Sequence, residues 1–137
     1  MKRLLSLDIG DARIGIAVCL NPLGIVSPHS VLVRTRSVKA DVRQIEAIVR
    51  EHRIEKVIIG LPSGPDSEQA VKNSGLAQRL MRRSGFPPCQ YWNEDFTSQD
   101  AEEELKALGR SRQKRRQVID RSAAVLILES YIRCEEQ

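Results

Sequence analysis

Four acidic residues carry the chemistry this sequence could perform: Asp8, the adjacent pair Glu94 and Asp95, and Asp120. Asp8 closes the apolar run Leu4-Leu5-Ser6-Leu7 and stands two residues before Gly10, so it falls at the end of a strand beside backbone that can turn sharply. Read by itself it could equally be a turn aspartate bonded to its own backbone, and Asp11 is better read that way. Glu94 and Asp95 follow the strand-like Cys89 to Trp92 and precede a helical pattern starting at Thr97. They either project from the sheet's rim or support the first turn of that helix, whose dipole favours acids. Which of the two points inward depends on the phase of the strand.

Asp120 is the most informative of the set. Steps of three and four lead from it to Ala123, Ala124, Ile127 and Tyr131, which puts the acid on the apolar face of a helix. A carboxylate there needs a metal, an arginine or hydrogen-bond donors, because desolvation costs several kcal/mol. A capping role, or a pair with Arg116 or Arg121, is the plainer alternative. Three carboxylates from distant segments suit hydrolysis of a phosphodiester with a hard divalent ion, Mg²⁺ or Mn²⁺, which prefers oxygen ligands.

The basic residues are clustered. The net charge is only +4, but Arg110, Arg112, Lys114, Arg115, Arg116 and Arg121 fall in one short segment, the usual footprint of a polyanion surface. With Arg13, the residues Arg110, Arg112, Lys114, Arg115 and Arg116 are the expected contacts to nucleic-acid phosphates. Other reactive types are weaker candidates. His29 and His52 lie far apart with no cysteine near either, so both read as surface or packing residues rather than metal ligands. Cys89 has no histidine in a suitable segment to act as its base, and Cys19, Cys89 and Cys134 form neither a disulfide framework nor a zinc pattern. Tyr91 and Trp92 could stack on bases, but alternation sends at least one into the core.

The elements that must position these groups are legible in the periodicities. Arg3 to Leu7 and Arg13 to Leu20 read as strands joined by a turn over Asp8 to Ala12, and Val31 to Arg34, after Pro28, as a third strand completing an antiparallel meander. Lys39 to His52 is an amphipathic helix with Val42, Ile45, Ile48 and Val49 inward. Lys56 to Leu61 is a buried, β-branched strand parallel to the first. A turn over Ser63 to Ser67 leads to a helix from Ala70 to Arg83, weakened by Gly75. After the strand Cys89 to Trp92 come a helix from Thr97 to Leu108, stopped by Gly109, and a long one from about Arg116 to Cys134. Two crossovers imply a mixed α/β sheet flanked by helices. At 137 residues, 41% hydrophobic and 29% charged, the expectation is one domain spanning 1–137 with an ordinary core. Ser6 and Asp8 interrupt the N-terminal apolar run and no window reaches the ~20 apolar residues of a membrane span, so no export signal or membrane partner is expected and a cytoplasmic location is.

Four segments together resemble the YqgF/RuvX family: Leu7-Asp8-Ile-Gly-Asp-Ala-Arg-Ile-Gly-Ile-Ala, Val57-Ile-Ile-Gly-Leu-Pro, Asn93-Glu94-Asp95-Phe-Thr-Ser and Ile119-Asp120-Arg-Ser-Ala-Ala-Val-Leu-Ile-Leu-Glu-Ser-Tyr. The resemblance covers nearly the whole chain. It implies an RNase H-like fold, with a five-stranded sheet of three meander strands and two parallel ones, similar to RuvC-type Holliday junction resolvases. It implies an endonuclease that matures the 5′ end of 16S rRNA or cuts branched DNA, with ribosomal precursor particles as one setting and a homodimer suiting a two-fold junction. It assigns Asp8, Glu94 and Asp120 as metal-binding catalytic carboxylates. The chain departs from the family at Asn93-Glu94-Asp95, where Asp-Glu-Arg is usual, and at Ser63-Gly64-Pro65-Asp66, where Asn-Met-Asp-Gly is usual; the first departure makes Asp95 a candidate additional ligand. Two rivals remain: a non-catalytic RNA-binding module of ribosome assembly, and an actin- or hexokinase-like ATP-binding fragment, which normally needs two such domains to clamp nucleotide.

Overall fold

The computed structural model describes residues 2–62, 65–72, 74–93 and 123–135. Five strands form one sheet: β1 (Leu4–Ile9), β2 (Arg13–Cys19), β3 (Val26–Val33), β4 (Lys56–Leu61) and β5 (Cys89–Asn93), in the order β3-β2-β1-β4-β5. The first three pair antiparallel, while β4 runs parallel to β1 and β5 parallel to β4. This is the mixed sheet expected from the periodicities. Four helices accompany it among the described residues: α1 (Val38–Glu51), α2 (Pro65–Lys72), α3 (Gly75–Arg82) and α4 (Ala123–Glu135).

Several boundaries shift for identifiable reasons. β1 continues through Asp8 and Ile9, which pair with Gly15 and Ile14, so Asp8 is a strand residue and the turn shrinks to 10–12. Gly10 N donates to Arg13 O at 2.8 Å, and a Cβ at Gly10 would meet that same oxygen at 3.0 Å, so any larger residue would push the two sides of the turn apart. β3 starts earlier than expected and runs through Pro28. An edge strand tolerates the missing amide, and the pairing register shifts there, with Ile16 opposite Ser30 and Ala17 opposite Pro28. The turn expected over Ser63 to Ser67 already contains the start of α2, with Pro65 at its first position, where the absent N–H costs nothing. The single helix expected over Ala70 to Arg83 is two: Ser74 takes extended backbone and its side chain accepts from Ala77 N, capping α3 and breaking the run. The helix expected over Thr97 to Leu108 and the first part of the last helix lie outside the described residues.

Alternation along β1 sorts the core into two halves. Leu5 and Leu7 face α1 and α3 with Ile14, Ile16, Val42, Ile45, Val57, Ile59, Leu76 and Leu80. On the other face Leu4, Ala17, Cys19 and Ile58 meet Ala124, Ile127, Leu128 and Tyr131 of α4. Glu46 of α1 pairs with Arg83 at the end of α3, and the Arg83 guanidinium holds that carboxyl below its ordinary range. α4 is fastened at two levels. Ser6, fully buried in β1, donates its hydroxyl to the Ala124 carbonyl at 2.6 Å; further along, Lys56 Nζ donates to Tyr131 Oη at 2.6 Å and Trp92 Nε1 to Ser130 Oγ at 3.1 Å.

Ser6→Ala removes the first of these bonds without adding bulk. It is expected to lower stability by about 1 kcal/mol in urea denaturation, the usual net value of a buried hydrogen bond. An unchanged midpoint would show that the Ser6 bond does not hold the helix down.

Candidate active site

The parallel strands β1, β4 and β5 all end at one rim of the sheet, and Asp8 stands on it. Leu7 is level with Ile59 and Ile59 with Tyr91. Asp8 lies one residue further along β1, on the face that carries Ser6 and Leu4 and receives α4. Its cross-strand neighbour is Gly15. A Cβ built on Gly15 would lie 3.6 Å from Asp8 Cβ, 4.0 Å from Asp8 Oδ2 and 3.7 Å from Ala124 Cβ. The carboxylate therefore sits in the corner between β2 and the first turn of α4, and that corner is open because residue 15 has no side chain and residue 124 only a methyl.

Asp8 makes no hydrogen bond or ion pair with another described residue. Asp41 shows what a structurally employed aspartate looks like in this chain. It is 3% exposed, and Thr35 donates to it from its backbone N at 3.1 and 3.2 Å and from its hydroxyl at 2.9 Å, which accounts for the buried charge. The sequence reading missed Asp41; its place in the first turn of a helix, six residues after a threonine, was the available signal. Asp8 is half-buried with no such donors. A hard cation, which carboxylate oxygens prefer to bind, fits that lack of partners.

The remaining expected residues divide sharply. Arg13 is exposed where β2 leaves the turn, at the same rim as Asp8. Asp11 is exposed within the turn, which Arg34 braces by donating from Nη1 to Gly10 O at 2.9 Å. Glu94, Asp95, Asp120, Arg110, Arg112, Lys114, Arg115 and Arg116 lie outside the described residues. The described chain stops one residue short of Glu94, at Asn93, which pairs with Leu61, and resumes at Ala123. Cys89 is no nucleophile in waiting: burial pushes its thiol up to about 11, so the reactive thiolate is scarce near neutrality. Tyr91 and Trp92 are both half-buried, Trp92 edge-on to Tyr131 and Tyr91 beneath Lys72, so neither is presented for base stacking.

Comparison with known proteins gives the geometry a family. The model of the RuvX family, described as Holliday junction resolvase, matches residues 2–134. A protein of Syntrophus aciditrophicus named "Putative pre-16S rRNA nuclease" is 40% identical over 133 residues, covering 95% of this chain and 87% of its own. A Streptomyces avermitilis protein of the same name is 38% identical over 136 residues, covering 97% and 86%. Among solved structures, Thermus thermophilus RuvC in complex with a Holliday junction superposes with a TM-score of 0.63 at 13% identity, covering 98% of this chain and 97% of that one. A second structure of Thermus thermophilus RuvC gives 0.54 at 14% identity, covering 97% and 96%. The chain belongs to the RuvX family, and its fold is that of RuvC, the RNase H-like fold expected from its motifs.

Filling the open corner should disable it without unfolding the protein. Gly15→Ala places a methyl in ordinary contact, whereas Gly15→Val drives branches toward Asp8 and Ala124. Nuclease activity of Gly15→Val is expected to fall about 10²-fold, the cost of displacing a reacting group by about 1 Å, with the circular dichroism spectrum retained. Full activity in a folded Gly15→Val protein would show that the corner has room to spare.

Proposed function

We propose that this RuvX-family protein is a divalent-metal-dependent endonuclease that hydrolyses phosphodiester bonds in structured nucleic acid, using Asp8, Glu94 and Asp120. The observation that carries the reading is the Asp8 carboxylate, without a partner among the described residues, at the rim where β1, β4 and β5 end and beneath the start of α4.

Three further observations support the other two carboxylates. Two strand spacings, about 9.6 Å, separate β1 from β5, a gap that an aspartate and a glutamate reaching toward each other can span. The phase of β5 favours Glu94 over Asp95. Trp92 packs on the α4 face, so a strand continued by one residue beyond Asn93 would put Glu94, of the same parity, on Asp8's side of the sheet. Asp95 is then the additional ligand rather than the principal one. Asp120 is four residues before Ala124, so it is tethered within about 14 Å of it whatever path the chain takes. A helix continued by one turn would put Asp120 on the same stripe as Ala124, facing Asp8.

Mg²⁺ or Mn²⁺ held by these oxygens would supply the means to activate a water and to stabilise the departing oxygen of an in-line displacement. The chain's own contribution is to fix the three carboxylates on separate elements, to keep their corner clear through Gly15 and Ala124, and to hold the flanking phosphates with Arg13, Arg110, Arg112, Lys114, Arg115 and Arg116. The substrate suggested by the relatives' name is precursor 16S rRNA; the resemblance of the motifs narrows it to the 5′ end within a ribosomal precursor, acted on in the cytoplasm. The family description adds branched DNA, for which a homodimer would match the junction's two-fold symmetry. Among the described residues no helix is long and apolar enough to cross a membrane.

Asp8→Asn keeps the shape of the side chain and removes its charge. Cleavage of a precursor rRNA end and of a four-way DNA junction should both fall to background with Mn²⁺ or Mg²⁺, while gel-shift affinity stays close to that of the parent; undiminished cleavage would reject the mechanism. Replacing Arg112, Lys114 and Arg115 together with alanine should weaken binding of every sequence alike. It should also reduce the slope of log affinity against log salt by about 3, one for each lost phosphate contact; an unaltered slope would remove that segment from the binding surface.

A further inference from the structure

His29 and His52, 23 residues apart in the sequence and unremarkable there, meet in the fold. α1 is capped by Ser37, near the rim that carries Asp8, and ends at the opposite end of the sheet, where Arg3 Nη1 donates to the His52 carbonyl at 2.7 Å. The helix closes with Ile54 N donating to Val49 O at 2.9 Å and Arg53 in the left-handed region at φ 53°, so His52 is held on a firmly ended helix. His29 arrives from β3. It is the extra residue of the bulge, between Pro28 opposite Ala17 and Ser30 opposite Ile16, and bulges commonly re-aim a side chain in this way.

The two imidazoles meet edge to face with centroids 5.1 Å apart. The Glu51 carboxylate lies 3.9 Å from His52 Nε2, and one ligand atom from each of His29, Glu51 and His52 falls within 4.8 Å of the others. His52 Nε2 is buried and has no hydrogen-bond partner among the described residues, an expensive condition for a polar atom. His29 Nδ1 sits 2.8 Å from the Ser30 hydroxyl, the outer partner that typically orients a ligating ring and leaves its Nε2 to bind.

We infer that His29, Glu51 and His52 form a second metal site, for a divalent transition ion of the zinc type, which clips the edge strand β3 to the end of α1. Two imidazole nitrogens and one carboxylate oxygen, with a fourth position for water, make a zinc-type set; Mg²⁺ and Ca²⁺ prefer oxygen alone. Tetrahedral ligands about 2.1 Å from an ion stand about 3.4 Å apart. Closing from the present spacing needs a modest turn of Glu51, whose side chain is 69% exposed and free to move. The site is at the other end of the sheet from Asp8, so it serves the scaffold and is independent of the proposed cleavage chemistry.

The test titrates the full chain with ZnCl₂ by calorimetry under saturating Mg²⁺, in an Asp8→Asn background so that the rim carboxylates contribute little. His29→Ala and Glu51→Gln are made in the same background, and circular dichroism checks that each is folded. One Zn²⁺ per chain should bind with micromolar or tighter affinity, at least about tenfold weaker in each variant, and Zn²⁺ should raise the thermal midpoint of the parent but not of His29→Ala. Equal affinity in parent and variants, or no binding by the parent at about 100 µM Zn²⁺, would overturn the site. Glu51→Gln alters only an exposed side chain, so it decides the matter even if His29→Ala does not fold.

Discussion

The close approach of the last helix to the first two strands is the constraint on which the rest of this molecule depends. It is made possible by small groups: Gly15 in β2, Ala124 at the start of α4, and Ser6 in β1, whose hydroxyl binds the Ala124 carbonyl. A methyl at Gly15 would still make ordinary contact with Ala124, but a branched side chain there would press against the helix. The corner containing Asp8 would then open to water. The second fastening, where Lys56 and Trp92 engage Tyr131 and Ser130, sets the angle of the helix and keeps its first turn at the rim.

The sheet supplies the complementary half of the design. Parallel pairing of β1, β4 and β5 brings their C-terminal ends to one side, so residues far apart in the chain leave the sheet within two strand spacings of each other. Antiparallel pairing of β1 with β2 then returns the chain through a turn tight enough to favour glycine at position 10, and the return places Gly15 against Asp8. The two kinds of pairing do different work: one brings strand ends to a single rim, the other keeps space beside Asp8.

Charge is handled in two distinct ways. Asp41 is buried and its oxygens are occupied by Thr35, so its charge is settled within the fold and stabilises the start of α1. Asp8 is half-buried and draws on no described donor. Its oxygens are thus left for a group other than the described residues, which is the place the proposed ion would take. The buried Nε2 of His52 follows the same logic at the far end of the sheet.

Much of this was legible from residue order alone. The β-branched run of β4, the three-and-four spacing of α1 and the apolar stripe of α4 each follow from how often a side chain returns to one face, a local property. The four motifs carried the family and the fold with them. Tight turns and breaks were less visible: the extension of β1 through Asp8 depends on its partner Gly15, and the split between α2 and α3 on the Ser74 cap, which competes with a helical pattern that is otherwise continuous. The tertiary structure separated Asp41, whose oxygens Thr35 occupies, from Asp8, for which no described residue supplies a donor. The meeting of His29 with His52 likewise needed a bulge in an edge strand and the end of a helix to fall side by side, and spacing along a chain carries no record of such a distance.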